Sequence, residues 1–166
     1  MPPIVSTPTV PINFVHATAG EIIHLGPVKL RVMEDGTRTD NRLSAVELIV
    51  PPRTPGPPPH WHEMHDETFL VTKGTIRFHV PEAAGLEAKV IDAKEGDYVV
   101  VPTRAPHTFS NETDEEARFF NTFTPAFYIH YFKLLGSLIE EGKSMTPEIN
   151  EQAMAYYATI PVRKPQ

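Results

Sequence analysis

Cysteine is absent from the 166-residue chain. This absence excludes disulfide bonds, zinc–thiolate sites and thiol catalysis. Basic residues are few and scattered, and the formal net charge is −6. Because nucleic-acid binding needs clustered Lys and Arg side chains along the phosphates, we expect no nucleic-acid partner.

Long apolar segments are also missing, since no stretch approaches the roughly 18 apolar residues of a membrane-spanning helix. We therefore expect no membrane partner. Residues 1–20 have neither the basic start nor the apolar centre of a secretory signal. The expected compartment is the cytoplasm.

Glycine is scarce, with 9 residues, whereas proline is abundant, with 18. This proline content is about twice the usual share, and it indicates stiff turns between short structural elements. The length and the 40% hydrophobic content are those of an ordinary globular domain. We predict one domain over residues 1–166.

Short runs with period-two alternation of apolar and polar residues follow one another up to about residue 124. In the run 75–80, for example, Ile76 and Phe78 share one face while Thr75 and Arg77 share the other. The predicted strands are 20–24, 27–33, 43–50, 67–73, 75–80, 87–91, 96–101, 106–110 and 117–123. Many short strands without intervening helices favour a sandwich or barrel.

The pattern changes to helical spacing after Pro125. A helix over about 126–141 would carry an apolar stripe that includes Tyr128, Phe132 and Leu135. That stripe would pack on the chain's own barrel or on a second copy. A second helix is predicted from Thr146 to about residue 158, because threonine, proline and glutamate open it.

Four residues form the strongest candidate for a metal site. His60 and His62 are two apart, so in a strand both imidazoles lie on one face. Glu67 opens the next predicted strand and adds an anionic ligand. His107 supplies a third imidazole if the chain returns toward the first two.

These residues resemble the two motifs of the cupin superfamily. Motif one is matched by His60, His62, Glu67 and Gly74, and motif two is matched by Gly96, Pro102, His107 and Asn111. The resemblance implies an all-β fold: a double-stranded β-helix, or jelly roll, over about 12–124, with a helical tail over about 125–160. It also implies one divalent metal per chain, held by the four candidate ligands.

The chain further resembles the small one-domain group similar to quercetin dioxygenases, through its proline-rich PPPHxH segment and its helical tail. Two residues depart from the cupin pattern. Gly56 stands closer to His60 than usual, and Arg104 replaces the second glycine of the turn before His107. Since arginine resists a positive φ, we expect a differently shaped loop, with Arg104 solvated or at the pocket mouth.

Three further side chains are assigned by their positions in the pattern. Phe69 and Phe109 share the faces of Glu67 and His107, so they should point into the barrel, as core residues or as an apolar wall around the metal. His65 could support a ligand from behind or substitute for one, but we expect an exposed loop histidine.

The leading functional hypothesis, which follows largely from the resemblance, is an oxygenase. Iron is the expected metal, with Mn, Ni, Cu and Zn as alternatives. The substrate would be a small aromatic, enolic or polyketide-like molecule, with O2 as co-substrate and Glu67 as general base. The alternatives are a Lewis-acid cyclase, isomerase, dehydratase or lyase, and a non-catalytic binding protein. We also expect a homodimer.

Overall fold

A computed structural model describes Met1 and residues 5–163 of the chain. The strands are β1 (Glu21–Leu25), β2 (Val28–Glu34), β3 (Ser44–Val50), β4 (Thr54–Pro55), β5 (His60–His62), β6 (Asp66–Lys73), β7 (Thr75–Val80), β8 (Lys89–Lys94), β9 (Tyr98–Val101), β10 (Thr108–Asn111), β11 (Ala117–Thr124) and β12 (Thr159–Pro161). A short 3₁₀ helix (Ala126–Tyr128) precedes α1 (Ile129–Glu140) and α2 (Pro147–Tyr156).

The strands form two main antiparallel sheets around an apolar core. The larger sheet has the order β1-β2-β3-β11-β6-β9, and the smaller has the order β4-β10-β7-β8. Alternation buries one face of each strand, as in β7, where Ile76 and Phe78 are buried between partly exposed Thr75 and Arg77. This two-sheet arrangement confirms the predicted all-β jelly roll.

The predicted strands all correspond to strands of the structure, with ends displaced by three residues or fewer. The predicted strand ranges omit β4, β5 and β12, which are only two or three residues long. Their importance comes from pairing, since β12 lies antiparallel to β5, with Thr159 opposite His62. The predicted barrel began near residue 12, whereas the first strand begins at Glu21.

The helical tail covers one end of the barrel. The side chain of Thr146 accepts a hydrogen bond from Ile149 N and so caps α2, as predicted. This helix ends at Tyr156, two residues before the predicted end, because the chain must turn into β12; Ala158 adopts a φ of 52° there. In the described residues no helix has both the length and the apolar character needed to cross a membrane.

The apolar stripe of α1 packs on the chain's own barrel. Tyr128, Tyr131 and Leu135 are buried within the single chain. A Cβ atom on Gly136 would lie 2.6 Å from a side-chain methyl of Ile23 on β1, so the helix approaches the sheet too closely for a larger residue. The choice left open by the sequence is therefore settled in favour of the chain's own barrel.

Candidate metal centre

The four predicted ligands come together inside the barrel. His60 and His62 lie on β5, Glu67 lies on β6, and His107 directly precedes β10. Each side chain is buried. The backbones of His60 and His107 exchange two hydrogen bonds of 3.0 and 2.9 Å, so the two sequence motifs meet at this bridge.

Hydrogen bonds orient all three imidazoles. Nδ1 of His60 donates to the carbonyl of Pro58 at 2.7 Å, and Nδ1 of His107 donates to the carbonyl of Ala105 at 3.0 Å. A carbonyl oxygen can only accept, so these contacts place the ring proton on Nδ1 and leave Nε2 with its lone pair.

His62 is oriented by a side chain from the last strand. Its Nδ1 lies 2.9 Å from Oγ1 of Thr159, whose hydroxyl donates to the carbonyl of Tyr157 at 3.3 Å. The hydroxyl oxygen can therefore accept a hydrogen bond from the protonated Nδ1 of His62, which again leaves the lone pair of Nε2 available. Anchoring of the second ring nitrogen in this way is typical of histidines that bind metals.

The carboxylate of Glu67 faces these nitrogens. Its Oε2 lies 3.1 Å from Nε2 of His62 and 3.2 Å from Nε2 of His107. Its Oε1 accepts a hydrogen bond of 3.1 Å from the side-chain amide of Asn121. Two imidazole lone pairs beside a carboxylate oxygen repel one another, so the arrangement needs a proton or a metal cation between them.

The pKa values fit this description. Burial, followed by the nearby charges of His107 and His62, lowers the pKa of His60 to about 3, so the His60 imidazole is neutral. Burial raises the pKa of Glu67, but the hydrogen bonds that His107 and His62 donate when a proton, rather than a metal, occupies Nε2 outweigh burial and hold this pKa well below its usual value. Burial lowers the pKa of His107, and its contact with Glu67 more than offsets this.

The donor set fits a divalent transition metal. One ring nitrogen from each of His60, His62 and His107 lies within 4.8 Å of the other two. Imidazole nitrogens with one carboxylate suit Fe, Mn, Ni, Cu or Zn rather than Ca or Mg, which prefer oxygen ligands alone. The cluster can therefore hold a metal cofactor.

A cavity of about 250 Å³ opens beside the cluster and extends under α1. Its walls are mostly apolar, and no Lys or Arg of the described residues lines it. The lining side chains outside the cluster include Leu25, Val28, Leu48, Phe109, Asn121, Tyr128, Tyr131, Phe132, Leu135 and Asn150. Such a cavity suits a compact, mostly apolar molecule with few polar groups.

The predicted pocket residues differ in their positions. Phe109 lines the cavity, as expected for a wall residue. Phe69 is buried behind the cluster, where its ring packs edge-on against Phe78 and Phe119 at 5.0 and 5.3 Å. Phe69 is therefore a core residue, the first of the two roles expected for it, and it does not line the cavity.

The backbone of Arg104 differs from expectation, whereas its side chain takes one of the two expected positions. Arg104 adopts a φ of 70°, the conformation that we expected arginine to resist. The strain, about 1–2 kcal/mol for a non-glycine residue, is offset by a hydrogen bond of 2.7 Å from its amide to the carbonyl of His62. Its exposed side chain lies 3.8 Å from Glu63 and does not line the cavity, so it is a solvated turn residue.

His65 contradicts the prediction of an exposed loop histidine. Its side chain is only 1% exposed, and its ring lies 4.1 Å from that of His62. The cause is the turn between β5 and β6, which places His65 on the same inward side as Glu67, two residues later. Burial, then the charge of His62, lowers the pKa of His65 to about 3.

Several residues of the site were missed by sequence reasoning. Asn121 had a usable signal, because it is a polar residue between inward-facing Phe119 and Phe123 on β11. No sequence signal indicated Thr159, because it is 97 residues from its partner His62. Gly56 was singled out only as displaced; a Cβ atom there would lie 1.9 Å from the carbonyl oxygen of Phe109, so only glycine fits beside β10.

Comparison with known proteins agrees with this geometry. Residues 46–123 match the family model of the cupin domain. The chain has a cupin fold. An uncharacterised protein of Aquifex aeolicus (strain VF5) is 35% identical over 69 residues, which are 42% of this chain and 51% of that protein. The chain thus spans about half the length of this relative.

Solved structures give the same fold at lower identity. KdgF from Halomonas sp. aligns with a TM-score of 0.57 and 18% identity, over 69% of this chain and 94% of that one. A single-residue mutant of the Bacillus subtilis oxalate decarboxylase OxdC aligns with a TM-score of 0.54 and 22% identity, over 64% of this chain and 28% of that one. At these identities the matches show the fold alone.

Proposed function

We propose that the chain is a metal-dependent oxygenase for a small aromatic, enolic or polyketide-like substrate. The observation that carries the proposal is the placement of three anchored histidines and one carboxylate at the end of an apolar cavity. Resemblance to the group similar to quercetin dioxygenases supports oxygen chemistry, and the cupin enzymes among the structural neighbours support catalysis.

The imidazoles of His60, His62 and His107 would hold the metal through Nε2, with Glu67 as the fourth ligand. When bound, a divalent redox metal would supply electrons for reaction with O2 and would lower the pKa of a coordinated hydroxyl group. Iron is the metal that we propose, because the resemblance favours it.

The chain's own groups would do three things to the substrate. Phe109 and Phe132 would hold its apolar body and exclude water from the reacting atoms. Oε1 of Glu67, the oxygen that would not bind the metal, would take the proton of the substrate hydroxyl. Asn121 would keep the carboxylate in place through Oε1. Because no cationic side chain of the described part of the chain lines the cavity, a neutral or singly charged substrate is favoured over a small dicarboxylate.

The test begins with elemental analysis of protein purified without added metal. Catechol and acetylacetone, a phenol and an enol that both chelate, would then be supplied with and without O2. We expect bound iron and O2-dependent loss of one probe. Turnover that is equally fast without O2 would contradict the oxygenase hypothesis and favour a Lewis-acid enzyme. Probe binding without turnover under either condition would favour a binding protein.

A further inference from the structure

His65 is the histidine of this region whose chemistry the proposed site does not use. It is buried, and neither ring nitrogen has a hydrogen-bond partner among Met1 and residues 5–163. A neutral imidazole has one donor and one acceptor, and leaving a buried polar group unpaired costs about 1–3 kcal/mol. The other histidines of the cluster each have an Nδ1 partner, so His65 stands apart.

Packing gives no reason for a histidine at this position. One side of its ring lies against Tyr128, with ring centroids 4.6 Å apart and planes inclined by 31°. The edges of Phe123 and Phe127 approach it at 5.5 and 5.9 Å. A phenylalanine would fill this aromatic pocket without burying two polar nitrogens. Aromatic packing therefore does not account for the two ring nitrogens.

The remaining side of the ring faces the metal cluster. The ring of His62 lies 4.1 Å away, and donor atoms of His62, His65 and Glu67 all lie within 4.8 Å of one another. Ligands of a single ion with bonds of about 2.1 Å are at most about 4.2 Å apart. A small side-chain movement would therefore bring His65 into the coordination sphere.

We propose that His65 is an additional nitrogen ligand of the metal centre, where it shares His62 and Glu67 with the set completed by His60 and His107. This inference rests on the proposed metal-binding function. His65 would be the most easily displaced ligand, because no hydrogen bond from the described residues fixes its ring. With five protein donors on a six-coordinate ion, a substrate that chelates through two oxygens would displace His65.

The substitution His65→Phe tests the proposal, because it keeps the aromatic packing and removes both nitrogens. The metal-free variant should be at least as stable as the parent, whereas its affinity for Co²⁺ should fall about 10-fold, the lower end for loss of a group that supports a metal site. X-ray absorption of the Co²⁺-loaded proteins should count four imidazoles in the parent and three in the variant. The matched control is His24→Phe on the exposed face of β1, which should change neither quantity.

Equal affinity and an equal imidazole count in the parent and His65→Phe would overturn the proposal while leaving the metal site intact. A parent that binds no Co²⁺ would instead refute the metal-binding function itself. A second measurement needs no variant: the ring ¹⁵N signals of the parent during Zn²⁺ titration. We expect the signals of His65 to shift with those of His60, His62 and His107. Signals of His65 that stay in place while the other three shift would also overturn the proposal.

Discussion

The two ends of the cavity are held by different forces. At the metal end, hydrogen bonds from the imidazoles to backbone carbonyls and Thr159 fix each ring, so polar contacts set the geometry. At the tail end, α1 is held by aromatic packing on the barrel, such as the contact between Phe132 and Phe123 of β11, whose ring centroids are 5.7 Å apart. Metal binding and substrate binding should therefore respond to different substitutions.

The largest expected effect is the loss of metal when the histidines at the metal end of the cavity are substituted. His60→Ala, His62→Ala and His107→Ala should each lower the metal content from one ion per chain to a small fraction. The combined triple variant should bind essentially none, because only Glu67 of the predicted set remains. Elemental analysis measures this directly, with His24→Ala as the exposed control. A triple variant with the parent's metal content would show that the site lies elsewhere.

The next effect separates two roles of Glu67. Glu67→Gln keeps the shape and one oxygen but removes the charge and the ability to take a proton. If Glu67 is the general base, the metal-saturated variant should turn over about 100-fold more slowly than the parent. The rate is compared at saturating metal, so that weaker metal binding does not contribute. Full recovery of turnover at high metal concentration would restrict Glu67 to the role of a ligand.

A smaller effect is expected at the tail end. Phe132→Leu reduces the aromatic wall, so binding of catechol to the metal-loaded protein should weaken by about 10-fold, or about 1.4 kcal/mol. Metal affinity should stay within about 2-fold of the parent value, because Phe132 is outside the ligand set. Calorimetric titrations with catechol and with the metal measure the two affinities. Phe14→Leu, on the exposed N-terminal segment, is the control. A parallel loss of metal affinity in Phe132→Leu would contradict the claim that metal binding and substrate binding respond to different substitutions.

The sequence was sufficient to predict the fold and the four residues that meet inside the barrel, because local patterns and the two cupin-like motifs indicate them. Alternation along β7 predicted a buried face, and HxH spacing placed His60 and His62 on one side of a strand. The environment of His65 could not be predicted, since its burial depends on Phe123, Phe127 and Tyr128, which belong to a distant part of the sequence.

The loop before His107 shows a second limit of prediction. A general preference against positive φ argued that Arg104 would change the loop, yet a hydrogen bond to the carbonyl of His62 holds the left-handed conformation. The partner is distant in sequence, so no local rule could supply it. Thr159 was missed for the same reason, because the pairing of β12 with β5 is visible only in three dimensions.

A modest effect on stability is expected where α1 meets the barrel. Lys133 on α1 lies 3.0 Å from Asp35 and 3.1 Å from Glu21. Hydrogen bonds from Thr37 first, and then from Lys133, hold the pKa of Asp35 well below its usual value against the effect of burial. A lowered folded-state pKa means that the stabilisation is fully present above about pH 4, the unfolded value, and is lost as the pH falls below it.

Asp35→Asn should therefore lower the free energy of unfolding by about 1 kcal/mol at pH 7. The difference between parent and variant should shrink steadily as the pH falls below about 4. Urea unfolding across this range measures both quantities, with exposed Glu87→Gln as the control. A difference that is independent of pH would show that charge on Asp35 is not the cause.

The smallest and least direct effect concerns assembly. The stripe of α1 no longer argues for a homodimer, because it is buried on its own barrel. A homodimer is still favoured by exposed apolar side chains of the N-terminal segment, where Ile12 is 98% exposed and Phe14 is 77% exposed. We predict a dimer mass by light scattering at micromolar concentration, and a shift toward monomer in Ile12→Ser/Phe14→Ser. A monomer mass for the parent would refute the dimer.

Binding of one divalent metal to His60, His62, Glu67 and His107 underlies every functional proposal made for this chain. Anomalous diffraction at the absorption edge of the metal, from crystals of protein loaded with Fe²⁺ or Co²⁺, is the decisive measurement. We predict one anomalous peak per chain, about 2.0–2.2 Å from Nε2 of each of these three histidines and from Oε2 of Glu67. A peak bound to other residues, or no peak in fully loaded protein, would contradict it.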